Sequence, residues 1–166
     1  PNYICLGQFD NEDNPRAHYE TTGPEILKEV KDVSFIVAGI GSGGTIVGAG
    51  KFLKEKNKEI KVIGIEPKSS PLITENKSGP HKIQGIGANF IPKIYDKDIV
   101  DKVITVSDED SYETVRLIAN KLGILIGISS GANISGAMKL SDENPDKIIV
   151  TVAPDGVDKY MSMGIF

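Results

Sequence analysis

The sequence predicts an α/β fold of three layers, with helices on both faces of a mainly parallel, twisted sheet. Two observations carry this. An apolar, β-branched run, Phe35-Ile36-Val37-Ala38, breaks into the glycines Gly39, Gly41, Gly43 and Gly44 and resumes after Thr45 with helical spacing. A second apolar run at residues 60–66, IKVIGIE, follows that helix. Strand, helix, strand in succession implies a right-handed crossover and parallel pairing.

The elements follow in order. Residues 3–9, YICLGQF, have the apolar, β-rich look of a buried strand, with Cys5 as core packing. Residues 10–15, DNEDNP, read as a loop. Thr21 or Thr22 caps a helix, with Pro24 in its first turn and Ile26, Leu27 and Val30 on its apolar face. After the glycines, Ile46, Val47, Ala49, Phe52 and Leu53 give one buried helical face, and Gly48 and Gly50 let that helix lie close to a neighbour. Residues 68–92 read as a long loop around a short helix near 72–76. Residues 99–106 form a strand, Ser107 caps a helix ended by Gly123, and Ile124 to Ile128 is a short apolar run. Ser129-Ser130-Gly131 opens a helix over 132–140, residues 146–152 form a last strand, and Pro154-Asp155-Gly156 turns the chain.

Composition narrows the function classes. The 166 residues suffice for one domain with a core, and 39% hydrophobic with 25% charged residues is ordinary for a globular protein. A net charge of −4 and no basic cluster with interleaved aromatics argue against a nucleic-acid surface. No run is long enough to span a membrane as a helix, and no signal-peptide pattern is present. A single cysteine excludes an internal disulfide and fits a cytoplasmic protein. His18 and His81 lie far apart without a third ligand beside either, which argues against a metal site. The chain opens at Pro1 and stops at Phe166 directly on apolar segments, where a domain ordinarily frays into polar residues; this predicts a piece of a longer protein.

Glycines between a strand and a helix bring bare backbone N–H groups to the positive end of a helix dipole, which suits an anion. Gly39, Gly41 and Gly44 satisfy G-x-G-x-x-G, and Glu66 ends the next strand where a dinucleotide site places its ribose-binding acid. That reading gives an NAD-dependent oxidoreductase. Ser42 and Thr45 add hydroxyl donors, which suits a terminal phosphate. The loop alone leaves both ligands open.

The remaining motifs carry a resemblance. Phe9 to Pro15 followed by Tyr19-Glu20-Thr21-Thr22-Gly23-Pro24-Glu25-Ile26 resembles the QF-NPxNP…ETTGPEI region of the cysteine synthase (O-acetylserine sulfhydrylase) family. Gly39 to Thr45 resembles that family's GxGTGGT loop, with Ser42 for the first Thr. Gly79-Pro80-His81-Lys82-Ile83-Gln84-Gly85-Ile86-Gly87-Ala88-Asn89-Phe90 is similar to its GPHKIQGIGAGF, with Asn89 for Gly. Gly127-Ile128-Ser129-Ser130-Gly131-Ala132 resembles its GISSGA. Pro154 to Tyr160 resembles its P-S/D-S/G-G-E/D-R/K-Y turn, with Val157 for a glycine.

The resemblance implies the large domain of a pyridoxal 5'-phosphate enzyme of fold type II, covering residues 1–166. It implies that Gly41, Ser42, Gly43, Gly44 and Thr45 hold the cofactor phosphate and that Ser129 meets the pyridine nitrogen. From the residues alone, Ser129 or Ser130 reads as a helix cap. It places Gln8, Gly85 and Gly87 on the substrate side, and Lys77, His81 and Lys82 on a loop that meets the C-terminal tail of serine acetyltransferase. The implied reaction replaces the acetoxy group of O-acetylserine by sulfide in a homodimeric enzyme; cystathionine β-synthase-like replacement is the neighbouring alternative. The Schiff-base lysine of the family lies in an upstream S-V-K-D-R-like segment that no lysine here matches, so the chain by itself is expected to be inactive.

Overall fold

The computed structural model describes residues 2–165. Pro1 and Phe166, on which the expectation of a longer protein partly rests, lie outside them. The chain runs α1 (Asp13–Glu20), α2 (Thr22–Glu29), β1 (Val33–Gly39), α3 (Gly44–Lys56), β2 (Lys61–Pro67), α4 (Leu72–Glu75), β3 (Lys102–Val106), α5 (Asp108–Leu122), α6 (Ile128–Glu143) and β4 (Ile148–Thr151). A 3-10 helix, Val157–Met163, follows. The sheet has the order β3-β2-β1-β4, and every pairing is parallel.

Alternation along the strands builds the three layers. Ile36 and Ala38 of β1 and Val62 of β2 pack with Ile46 and Leu53 of α3. Val37 of β1 and Ile63 and Ile65 of β2 face the other way, onto Val115 of α5 and Ile128 and Ala132 of α6. Burying each such side chain stabilises the fold by about 1.5–3 kcal/mol. Gly48 and Gly50 serve the close approach that their position predicts. A Cβ at Gly48 would strike the Pro15 carbonyl oxygen of α1, and one at Gly50 would crowd Val62 of β2.

Several expectations are corrected. Residues 3–6 form no strand; Tyr3, Ile4 and Leu6 are exposed, and so is Cys5. An apolar β-branched run forms a strand only where neighbours pair and cover it, which composition does not reveal. Residues 13–15 are helical rather than loop. Pro15 is tolerated because the first-turn N–H groups of a helix lack intrahelical partners anyway. Thr21 does not cap α2 through its side chain; its hydroxyl donates to the Ala17 carbonyl at 2.7 Å. β3 begins at Lys102 rather than 99, because Asp101 turns aside. Its carboxylate accepts the Val62 N–H at 2.7 Å and pairs with Lys54 at 2.8 Å. α6 begins at Ile128 with Gly127 at its cap, so neither Ser129 nor Ser130 is the cap residue. Val157 is buried and starts the 3-10 helix without a left-handed backbone. The glycine that the related turn carries is therefore not needed here.

The α5 cap forms as its sequence predicts. The Ser107 hydroxyl accepts the Asp110 N–H at 3.0 Å, and Gly123 closes the helix with φ +69°. Ser107→Ala should therefore lower the stability by about 1 kcal/mol, read as a shifted denaturant midpoint at unchanged slope. The 3-10 helix is fastened by the Tyr160 hydroxyl, which donates to Asp155 Oδ2 at 2.7 Å. Burial first, then that hydrogen bond and the negative charges of Asp155 and Asp158, push the phenol up to about 12. A raised folded-state value means that this stabilisation is complete below the ordinary tyrosine range near pH ~10 and is lost as pH rises toward the folded value. Tyrosinate absorbance should show a late step that Tyr160→Phe removes.

Candidate functional site

β1 ends at Gly39 and α3 begins at Gly44, so residues 40–43 turn the chain at the C-terminal edge of the sheet. Gly43 is the N-cap residue, with φ +89°, a left-handed conformation that a side chain would strain. A Cβ at Gly41 would strike the Gly85 carbonyl oxygen, so two glycine segments touch backbone to backbone. The loop residues Gly41, Ser42, Gly43, Gly44 and Thr45 line one wall of a cavity of about 220 Å³. Gly85 and Ile86 form a second wall, Ser129 and Asn133 of α6 a third, and Pro154, Asp155 and Tyr160 a fourth.

The positive field of this cavity comes from the backbone, while Asp155 lines it with a carboxylate. Its lining contains no lysine or arginine among the described residues. The first residues of α3 and of α6 both border it, so the positive ends of two helix dipoles meet there. Bare glycine N–H groups, the hydroxyls of Ser42, Thr45 and Ser129 and two helix N-termini are a donor set for an anion. Ser129 is 5% exposed and its hydroxyl lies near Gly85, 3.6 Å from where a Cβ there would stand. Asn133 donates to the Val152 carbonyl at 2.9 Å, while its Oδ1 is buried without a partner. Asp155 likewise has one buried oxygen, Oδ1, without a hydrogen bond.

Seven residues expected at the site from sequence thus come together: Gly41, Ser42, Gly43, Gly44, Thr45, Gly85 and Ser129. Gln8 and Gly87 do not line the cavity. Gly87, with φ +66°, packs on Pro67 and His81 and donates its N–H to the Ile40 carbonyl at 3.0 Å. Lys77 is exposed and paired with Glu75 at 2.8 Å. His81 is bonded through Nε2 to the Gly87 carbonyl at 2.9 Å, and the Lys82 N–H donates to Asp108 at 2.9 Å. Glu66 turns away from the glycine loop. Its carboxylate, 2% exposed, accepts the Ile73 and Thr74 N–H groups at 2.9 and 3.1 Å and the Thr74 hydroxyl at 2.5 Å. It holds α4, which leaves the ribose-binding reading of Glu66 without a free carboxylate.

Asn133, Asp155 and Tyr160 were not legible as site residues, because their place depends on strand pairing far along the chain. Asn133 sits in a glycosylation-like triplet but is 1% exposed. A wider groove of about 990 Å³ lies elsewhere, between α1, α3 and residues 91–98, and carries charges of both signs. None of the candidate cofactor, substrate-side or partner residues lines it. Among the described residues no helix is long and apolar enough to cross a membrane.

Comparison with known proteins agrees with the fold. The chain is 46% identical to cysteine synthase B of Campylobacter jejuni over all of its own length and 56% of that protein. It superposes on O-acetyl serine sulfhydrylase isoform 3 from Entamoeba histolytica with a TM-score of 0.95 at 36% identity, covering 99% of this chain and 50% of that one. On an O-acetylserine dependent cystathionine beta-synthase from Helicobacter pylori the TM-score is 0.94 at 41% identity, covering 100% of this chain and 55% of that one. The chain thus spans about half the length of the relatives it matches. The profile of the family described as "Pyridoxal-phosphate dependent enzyme" matches residues 1–155, and the chain belongs to that family.

Proposed function

We propose that residues 1–166 are the cofactor-holding portion of a cysteine synthase, which replaces the acetoxy group of O-acetyl-L-serine by sulfide to give L-cysteine and acetate. The observation that carries the proposal is the single cavity onto which the glycine loop at α3 and Ser129 at α6 both open. The donor set fits the group: small residues leave room for a phosphate, and the walls supply donors without a competing cation. Gly41, Ser42, Gly43, Gly44 and Thr45 take the phosphate through backbone N–H groups and hydroxyls. Ser129 meets the pyridine nitrogen, Gly85 borders the substrate within the cavity, and Gln8 and Gly87 are assigned to the substrate side outside its walls.

Bound pyridoxal 5'-phosphate supplies an electron sink. The Ser129 hydroxyl tunes it: a neutral partner does not hold a proton on the ring nitrogen as a carboxylate would. That weaker sink suits departure of a β-substituent. The Schiff-base lysine is read as supplied from outside residues 1–166. The whole protein is read as a cytoplasmic homodimer. The segment bearing Lys77, His81 and Lys82 is read as the contact for the C-terminal tail of serine acetyltransferase. Cystathionine β-synthase-like replacement stands second, favoured by the likeness to the Helicobacter pylori enzyme. Rates with sulfide against homocysteine as acceptor in the full-length protein separate the two.

Thr45→Val keeps the shape and removes one donor. Calorimetric titration of the chain with pyridoxal 5'-phosphate should then lose roughly tenfold or more in affinity, the worth of a hydrogen bond to a charged group. Binding of pyridoxal, which lacks the phosphate, should not change. Equal losses for both ligands would count against the phosphate assignment.

A further inference from the structure

α1, which the sequence did not reveal, lies against the outer side of the glycine loop. Its residues Asn14 and His18, one helical turn apart, each reach a hydroxyl of that loop. The Asn14 Nδ2 lies 2.8 Å from Ser42 Oγ and 2.7 Å from the Gln8 carbonyl oxygen. A carbonyl only accepts, so the nitrogen of the amide must face Gln8, and its two hydrogens serve Gln8 and Ser42. Ser42 Oγ is then the acceptor, and its own hydrogen remains free for the cavity. His18 Nε2 lies 3.1 Å from Thr45 Oγ1, and Nδ1 lies 2.9 Å from Thr22 Oγ1. Burial holds His18 below its ordinary value, which favours the neutral ring with a single N–H.

The packing makes these contacts close. Gly44 and Gly48 of α3 stand where α1 crosses; a Cβ at Gly44 would strike the Asn14 side chain, and one at Gly48 would come within 2.9 Å of the His18 Cβ. Hydroxyls donate or accept with equal ease, so the loop by itself does not decide which way its two protons point. Asn14 decides it at Ser42, and at Thr45 it follows the tautomer of His18.

We propose that Asn14 and His18 are positioning residues that turn Ser42 and Thr45 into donors toward a bound phosphate: Asn14 by donating to Ser42, His18 by donating from Nε2 to Thr45 while Nδ1 accepts from Thr22. The inference rests on the phosphate reading of the cavity. Asn14 has a second consequence, because the same amide holds the Gln8 carbonyl and so ties the segment that carries Gln8 to the anion loop.

The test is titration of the chain and its variants with pyridoxal 5'-phosphate and with pyridoxal, followed by calorimetry. Asn14→Ala and His18→Leu should each weaken pyridoxal 5'-phosphate binding by roughly five- to tenfold and leave pyridoxal binding unchanged. His18→Gln, whose amide N–H can stand in for Nε2–H, should restore most of the loss. Variants that bind pyridoxal 5'-phosphate as tightly as the parent, or that lose both ligands equally, overturn the inference while the phosphate reading stands. A parent that does not distinguish the two ligands overturns both. Independently of any variant's folding, 15N NMR of the parent with pyridoxal 5'-phosphate added should show His18 protonated at Nε2. A bound form with the proton on Nδ1 alone overturns the proposal.

Discussion

The contact between Gly41 and the Gly85 carbonyl sets the dimensions of the site. Both segments lie beyond the C-terminal ends of neighbouring parallel strands, where a doubly covered sheet leaves its crevice. Any side chain at Gly41 would push the two loops apart, and the cavity between the α3 and α6 N-termini would widen. Most other features of the site follow from this approach. The loop must be glycine-rich, the walls must supply donors from backbone and hydroxyls, and the positive field must come from helix ends rather than from cationic side chains.

The central fold was legible because its signals are local. The β1-glycine-α3-β2 unit carries a change of hydrophobic period, a glycine cluster and a closing strand between Val33 and Pro67. The α5 cap and its glycine stop are equally local. The anion loop and Ser129 could be named, the first by its glycines and the second by resemblance to a family motif. Their convergence is a tertiary fact that the αβα arrangement supplies.

What was not legible depends on partners distant in the chain. Residues 3–6 look like a strand by composition, yet no strand among the described residues pairs with them. α1 is hidden by its own first residues: Asp13, Asn14 and Pro15 read as loop, and the helix packs closely on Gly44 and Gly48 of α3. Glu66 lies near a strand end as expected, but the carboxylate that the dinucleotide alternative gave to a ribose is occupied by three donors from α4, a helix of one turn.

The pairing of β4 with β1 has a consequence for when the site comes into being. β4 closes the sheet next to β1, and the Thr151 hydroxyl donates to the Val37 carbonyl across 114 residues of chain. The wall formed by Pro154, Asp155 and Tyr160 follows directly after that strand. Closing so long a loop is among the slower steps available to a domain of this kind. During synthesis the glycine loop is made before its opposite wall, so the capacity to retain a ligand arises only once β4 and that wall have joined the sheet. Occupancy of the cavity would then favour chains that carry the closing wall over those that lack it.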